Sequence, residues 1–281
     1  MKRTAILTGS ELRHNFVRKL ISATPGINVV RSYCEGTEKA LKTLAKQKGN
    51  GVAELELDHL RAREQSEKDF FSHFVRMIND HSNAINIPKG DINSPSVYED
   101  LCYLAPDLVI SYGCSVVTDP LLHRFTPDFV NVHLGLSPYY RGSGTNFWPF
   151  VNGALEYIGV TFMYIDAGID TGEIIHQMRP RILPGDDIHS IGNRLIGDMA
   201  TVYAEVIRRF DDLRPMPQIP VPRDEKVYRR ADFTNESVSK LYQQLNAGLV
   251  EQYLKEKQER CANVPIIENP ILSDVMVALG S

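Results

Sequence analysis

Apolar residues in this chain fall into short unbroken runs, separated by segments in which they recur at helical spacing. Residues 4–8, TAILT, read as a buried strand, and Gly9-Ser10 turns the chain into a helix whose Phe16, Val17, Leu20 and Ile21 share one face. Pro25-Gly26 ends that helix, and residues 27–33 form a second strand. Strand, helix and strand in this order predict a parallel sheet with crossover helices. Residues 52–81 carry a long amphipathic pattern, with Phe70, Phe71, Phe74, Val75 and Ile78 on one face and Arg61, Arg63, Glu64, Glu67 and Lys68 on the other. The charged face is expected to be solvated, with His59, His73 and His81 at the surface.

A short helix through Tyr98 and Leu101 leads to a central strand at 107–111, broken at Gly113. Beyond a crossover over 118–124, strands are predicted at 129–132, 159–164 and 173–177. A helix follows over 188–210, apolar at Ile191, Leu195, Ile196, Met199 and Val202. Pro215, Pro217, Pro220 and Pro222 are too dense for a helix or sheet and mark a linker. One further helix is predicted over 236–258, then a proline-containing tail. The chain thus reads as an α/β unit, 1–215, and a linker with a small, mainly helical C-terminal extension, 216–281.

With 281 residues, 43% hydrophobic and 23% charged, the chain can bury a sizeable core, and disorder is not expected. A net charge of -4 supplies no field for a polyanion, so dedicated nucleic-acid binding is not expected. Cys34, Cys102, Cys114 and Cys261 are scattered without a C-x-x-C pair, which suits a reducing cytosol. No apolar run reaches membrane-spanning length, and the N-terminal one is too short for a secretory signal; a cytoplasmic protein is expected. The G-x-G-x-x-G, G-x-x-x-x-G-K-[ST] and G-x-S-x-G patterns are absent, which counts against dinucleotide enzymes, P-loop NTPases and α/β-hydrolases. The histidines are dispersed, and no i, i+4 pair suggests a metal.

Candidate chemistry concentrates in DFVNVHLGLSPYYRGSGTNFWPF, residues 128–150. Asn131 and His133 stand at i and i+2 of a strand and so share a face at its carboxyl end, where open α/β sheets place ligands. A carboxamide and an imidazole can both donate to an oxygen that becomes negative during acyl transfer. The plainer alternative is that Asn131 caps the turn and His133 packs. In YIDAGIDTGEII, residues 164–175, Asp166 and Asp170 sit between glycines that allow a tight loop. A carboxylate there can orient His133 or accept a proton through water, although by itself the segment also reads as a turn.

Together, NVHLGLSPYYRG and GVTFMYIDAGIDTGEII resemble the folate-dependent N-formyltransferase family. Its pattern is N-x-H, a Ser-Leu-Leu-Pro-like loop ending in Arg/Lys-Gly, then Gly-Val-Thr and a D-x-G loop. The resemblance covers residues 95–205 well and the first strand–helix unit loosely. It implies a Rossmann-like, mostly parallel sheet with flanking helices, and it carries the catalytic Asn, His and Asp onto Asn131, His133 and Asp170, with Asp166 the weaker candidate. In the implied reaction an amine attacks the formyl carbon of 10-formyltetrahydrofolate. His133 and Asn131 hold the oxyanion, Asp170 holds His133, and no metal is needed. The pterin is implied to lie on the backbone of Ser115, Val116 and Val117 and of Asp166, Ala167 and Ile169. One departure stands out: the Ser-Leu-Leu-Pro loop reads Gly135-Leu136-Ser137-Pro138, although it keeps the proline and the Arg141-Gly142 ending.

Within the family, the methionyl-tRNA branch resembles longer chains with a C-terminal barrel, and the glycinamide ribonucleotide branch shorter ones. GSGTNFWPFVNG resembles the amino-sugar branch, which implies Tyr139, Arg141, Asn146 and Trp148 around the acceptor; for Trp148, core packing is the alternative. The expected acceptor is the amine of a nucleotide-linked amino sugar in surface glycan synthesis. Another amine, or a catalytically inactive binder that keeps the fold, is the alternative. The 236–258 helix is expected to cover the mouth of the site or to form a homodimer contact.

Overall fold

The apolar runs become the strands of one seven-stranded sheet. The computed structural model describes residues 1–36, 54–220 and 226–280. The first part of the chain forms β1 (Lys2–Gly9), α1 (Leu12–Ala23), β2 (Ile27–Glu35), α2 (Glu54–Met77), β3 (Ala84–Ile87), α3 (Pro95–Leu104), β4 (Leu108–Tyr112), α4 (Leu121–Phe125) and β5 (Phe129–His133). Next come β6 (Tyr140–Gly142), α5 (Trp148–Val151), β7 (Val160–Tyr164), β8 (Ile174–Met178) and α6 (Ile188–Arg208). The sheet order is β3-β2-β1-β4-β5-β7-β8. The first five strands are parallel, whereas β7 and β8 run antiparallel to their neighbours.

Side-chain alternation sends successive residues into two separate cores. Ile6, Leu108, Ile110, Val130 and Val132 pack with α1, Phe71 of α2 and α6 on one face. Ala5, Leu7, Val109 and Phe129 pack with Val97, Leu101, Leu121 and Phe125 of α3 and α4 on the other. Helix α6 starts at a capping box in which Asp187 Oδ1 accepts from the Ser190 N–H at 2.7 Å and Ser190 Oγ accepts from the Asp187 N–H at 2.9 Å. Its fully buried Tyr203 donates to the carbonyls of Ser111 and Val130, fastening the helix beneath the ends of β4 and β5.

The charged face of α2 is only partly in water. Residues 52 and 53, also expected in this helix, lie outside the described residues, as does Pro222 of the expected linker. Arg61, Glu64 and Lys68 face solvent, but Glu67 turns inward to Arg13 of α1 at 2.6 Å. His73 and His81 are exposed. His59 is not at the surface: it is 4% exposed, among His189, Phe147 and Phe233, with Nδ1 3.1 Å from the Tyr242 hydroxyl. Burial, with the neighbouring His189 and Arg63, pushes its pKa down to about 3.

The helix expected over 236–258 is two helices, α7 (Asn235–Asn246) and α8 (Leu249–Ala262), separated at Gly248 with φ 83°. That left-handed conformation suits glycine and stops α7. Before them, β9 (Lys226–Tyr228) pairs in parallel with β6, and α9 (Ser273–Leu279) ends the described chain. Residues beyond 215 return to the sheet. Met216 bridges to Ile174, Ile267 to Gln177, and Arg209 reaches Asp274 through two hydrogen bonds.

Candidate active site

Strand β5 ends on the candidate residues Asn131 and His133, and its register against β4 sets Asn131 opposite Ser111. The Ser111 hydroxyl donates to Asn131 Oδ1 at 2.8 Å, so the amide NH2 is the group left to donate. His133 is 7% exposed, with Nδ1 3.3 Å from Asp170 Oδ1 and Nε2 3.2 Å from the Tyr140 carbonyl oxygen. Asp170 comes from the loop between β7 and β8 and has φ 54°, a conformation costing a non-glycine residue on the order of 1–2 kcal/mol. Its second oxygen accepts from the Gly142 N–H at 2.9 Å. The structure therefore brings Asp170 to His133. Asp166 instead folds its own loop, accepting from the Gly168 N–H and the Thr171 hydroxyl.

The Gly-Val-Thr element has a physical role here. Thr161 is fully buried beside His133, its hydroxyl donating to the Gly135 carbonyl and accepting from the Ser137 N–H. Gln177 of β8 donates to the Ser137 carbonyl and to Thr161 Oγ1. Together they set the course of residues 135–138 over the histidine. Gly159 packs so closely that an added Cβ would lie 2.4 Å from Leu136 and 2.5 Å from the Met178 carbonyl. Gly135 is as tight, its position for a Cβ lying 2.5 Å from His133 Nε2.

The other expected site residues take several positions. Val116 is 72% exposed and Ile169 55%, an apolar pair on the two loops assigned to the pterin; Ala167 is also exposed, whereas the Val117 side chain is buried in the core. The loop holding Ser115 is anchored by Glu35, whose carboxylate accepts from the Ser115 N–H at 2.7 Å and the Gly90 N–H at 3.0 Å and pairs with Lys89. Burial pushes the Glu35 carboxyl up, but these hydrogen bonds outweigh it and leave its pKa below the ordinary value. Tyr139 donates to the Pro265 carbonyl, and Arg141 to Gln218. Asn146 spends both ends of its amide on the Gly159 backbone. Trp148 is 6% exposed, stacked on Tyr228 at 4.5 Å, with Nε1 donating to the Ser143 carbonyl.

Thr161 is the threonine of the Gly-Val-Thr element, but Ser111, Gln177, Glu35 and Gln218 carry no signal of their own in the sequence; all of these but Gln218 lie on buried strands and are recognisable only from the partners the fold gives them. Among the described residues, no group of three or more His, Cys, Asp or Glu side chains is placed to hold a metal, and no helix is long and apolar enough to cross a membrane.

A mostly parallel sheet that closes an Asn-x-His strand end with an Asp-bearing glycine loop defines a formyltransferase-type fold. The chain belongs to the formyl transferase family, whose model matches residues 2–207. A methionyl-tRNA formyltransferase from Desulforamulus reducens is 30% identical over 166 residues, 59% of this chain and 50% of that protein. The chain spans about half the length of the curated relatives it matches. Among solved structures, a sugar N-formyltransferase from a Shewanella species superposes with a TM-score of 0.54 at 13% identity, over 86% of this chain and 88% of that one. A phosphoribosylglycinamide formyltransferase from Anaplasma phagocytophilum gives 0.52 at 16% identity, over 82% and 98%. At these identities the two structures show the shared fold.

Proposed function

We propose that the protein transfers the formyl group of 10-formyltetrahydrofolate to the amine of a nucleotide-linked amino sugar. The observation that carries the formyl transfer is the His133–Asp170 contact at 3.3 Å beside an Asn131 whose carbonyl is already occupied by Ser111. The amine nitrogen bonds to the formyl carbon, and the bond from that carbon to N10 of the folate breaks. One proton leaves the amine and one arrives at N10. The Asn131 NH2 and the His133 Nε2–H donate to the formyl oxygen as it becomes negative, which takes the place of the Tyr140 carbonyl at Nε2. Asp170 keeps Nδ1 as a donor and so fixes the ring. The exposed Val116 and Ile169 fit the apolar faces of the donor's ring system, and residues 115–117 and 166–169 offer backbone to its polar edge.

The amino-sugar acceptor is supported by the resemblance of the Asn146-Phe147-Trp148 stretch to that branch, while the Asn146 amide and the Trp148 ring themselves are engaged inside the protein. It is also supported by the make-up of the C-terminal part, which in its described residues holds three helices and one short strand. A cytoplasmic location fits this acceptor. A second reading, methionyl-tRNA as acceptor, is favoured by the curated relatives, and the net charge of -4 counts against it.

The test mixes the protein and 10-formyltetrahydrofolate with nucleotide-linked 3-amino and 4-amino sugars, or with methionyl-tRNA, and follows tetrahydrofolate release by absorbance. One amino sugar is expected to support release, and His133→Ala to slow it by on the order of 10²–10³-fold. Release with methionyl-tRNA alone would replace the acceptor, and undiminished release by His133→Ala would remove the site.

A further inference from the structure

We infer that Gln218, in the proline-rich stretch after the family-matched region, is a positioning residue of the active site that acts through Asp170. The inference rests on the reading of His133 and Asp170 as working groups. Gln218 Nε2 donates to the backbone carbonyls of Asp170 at 2.9 Å and Gly172 at 2.8 Å, and its Oε1 accepts from Arg141 at 3.0 Å. One half-buried amide thus ties the loop that presents the carboxylate to the strand that lies over the histidine.

Asp170 needs such a tie. At φ 54° its backbone is in a region that L-residues leave unless surrounding contacts over-determine it. Its own carboxylate supplies two contacts, to the Gly142 N–H and to His133 Nδ1. Gln218 adds bonds to the backbone carbonyls of Asp170 and Gly172, from a part of the chain well beyond the loop itself. Gln218 is itself fixed: two residues earlier, Met216 exchanges both backbone hydrogen bonds with Ile174, at 2.7 and 2.8 Å, where β8 leaves the same loop. Pro217 and Pro220 on either side restrict the backbone that presents it. Two of the prolines that mark a linker in the sequence, Pro217 and Pro220, thus flank a brace.

The two functions of the amide separate experimentally. Gln218→Glu keeps an acceptor facing Arg141 but removes both donations and sets a carboxylate against two carbonyl oxygens. Gln218→Ala removes everything. Both are expected to lower kcat by about tenfold to a hundredfold, the range for a catalytic group displaced by about 1 Å, with KM for 10-formyltetrahydrofolate moving less than about threefold. If Gln218 works through Asp170, its loss adds little in an Asp170→Asn background, so the double variant resembles Asp170→Asn alone. Multiplying effects would indicate a general structural role and overturn the inference, as would Gln218→Glu with wild-type kcat.

A second readout needs no acceptor. The His133 Nδ1 proton, held by Asp170, is expected as a downfield one-dimensional proton NMR signal of the full chain, lost in Asp170→Asn and lost or broadened in Gln218→Ala. Its persistence unchanged in Gln218→Ala would overturn the proposal. His133→Ala distinguishes the two levels. Activity surviving in that variant removes the site reading itself, whereas an inactive His133→Ala beside a fully active Gln218→Ala removes only the role of Gln218.

Discussion

Gly135 shows how closely the histidine is enclosed. A Cβ there would lie 2.5 Å from His133 Nε2 and 2.8 Å from Thr145 Cβ. Thr145 is pinned by the bond from its hydroxyl to the Leu134 carbonyl, so the imidazole is the group that must yield. Gly135→Ala is therefore expected to lower kcat at least about tenfold and to lower the melting temperature as well, measured by tetrahydrofolate release and thermal unfolding. An unchanged kcat would show that the ring has room. That Asn131 and His133 share a face was legible from their i, i+2 spacing on a strand, and the contact of Asp170 with His133 was expected from the resemblance. Gln177 was not legible, because a buried polar residue on a strand looks like any other strand residue until the carbonyl it serves is placed, and Thr161 was marked only as part of the Gly-Val-Thr pattern, without its role.

At the scale of elements, β8 carries a buried histidine with a measurable consequence. His176 is fully buried, and its Nδ1 accepts from the Asn269 N–H at 3.0 Å. Burial pushes its pKa from 6.5 to about 4. Between those values the unfolded chain binds a proton that the folded chain excludes, so stability rises with pH across the window and its loss is complete below about 4. The effect amounts to roughly 3 kcal/mol for this one group. Urea unfolding at pH 7 and pH 4.5 should show a smaller difference for His176→Gln than for the parent; equal differences would mean the ring titrates freely. The strands were read well where whole runs are apolar, as in β4. The exposed four-residue β3 and the three-residue β6 and β9 escaped because segments so short carry no periodicity, and the break at Gly248 escaped because both flanking helices share one amphipathic pattern.

Across the whole molecule, the described residues after 215 form a covering rather than an appendage. The outer edge of β8 would offer unpaired backbone groups to another chain, and Met216 and the segment around Ile267 occupy it. Arg179 and Arg260 hold the covering through the Val264 carbonyl, Glu156 and the Gly153 carbonyl. Removal of residues 263–281 is expected to lower the melting temperature and to produce concentration-dependent light scattering; a truncated protein that stays monodisperse would show that the edge needs no cover. The sequence pattern could not reveal this, since edge coverage depends on which segment returns to which strand and not on the composition of either.

The pairing of β6 with β9, and of Asp170 with Gln218, also orders events in time. A ribosome that has just delivered residue 207 has made every acid, amide and imidazole of the candidate site, yet not the segment that fixes their geometry. Met216 and Gln218 must emerge before the loop bearing Asp170 has its brace, and β9 must emerge before β6 has its partner. Competence for the proposed formyl transfer should therefore rise late in synthesis, so that a nascent chain consumes a reactive donor only slowly until the brace at Gln218 is in place.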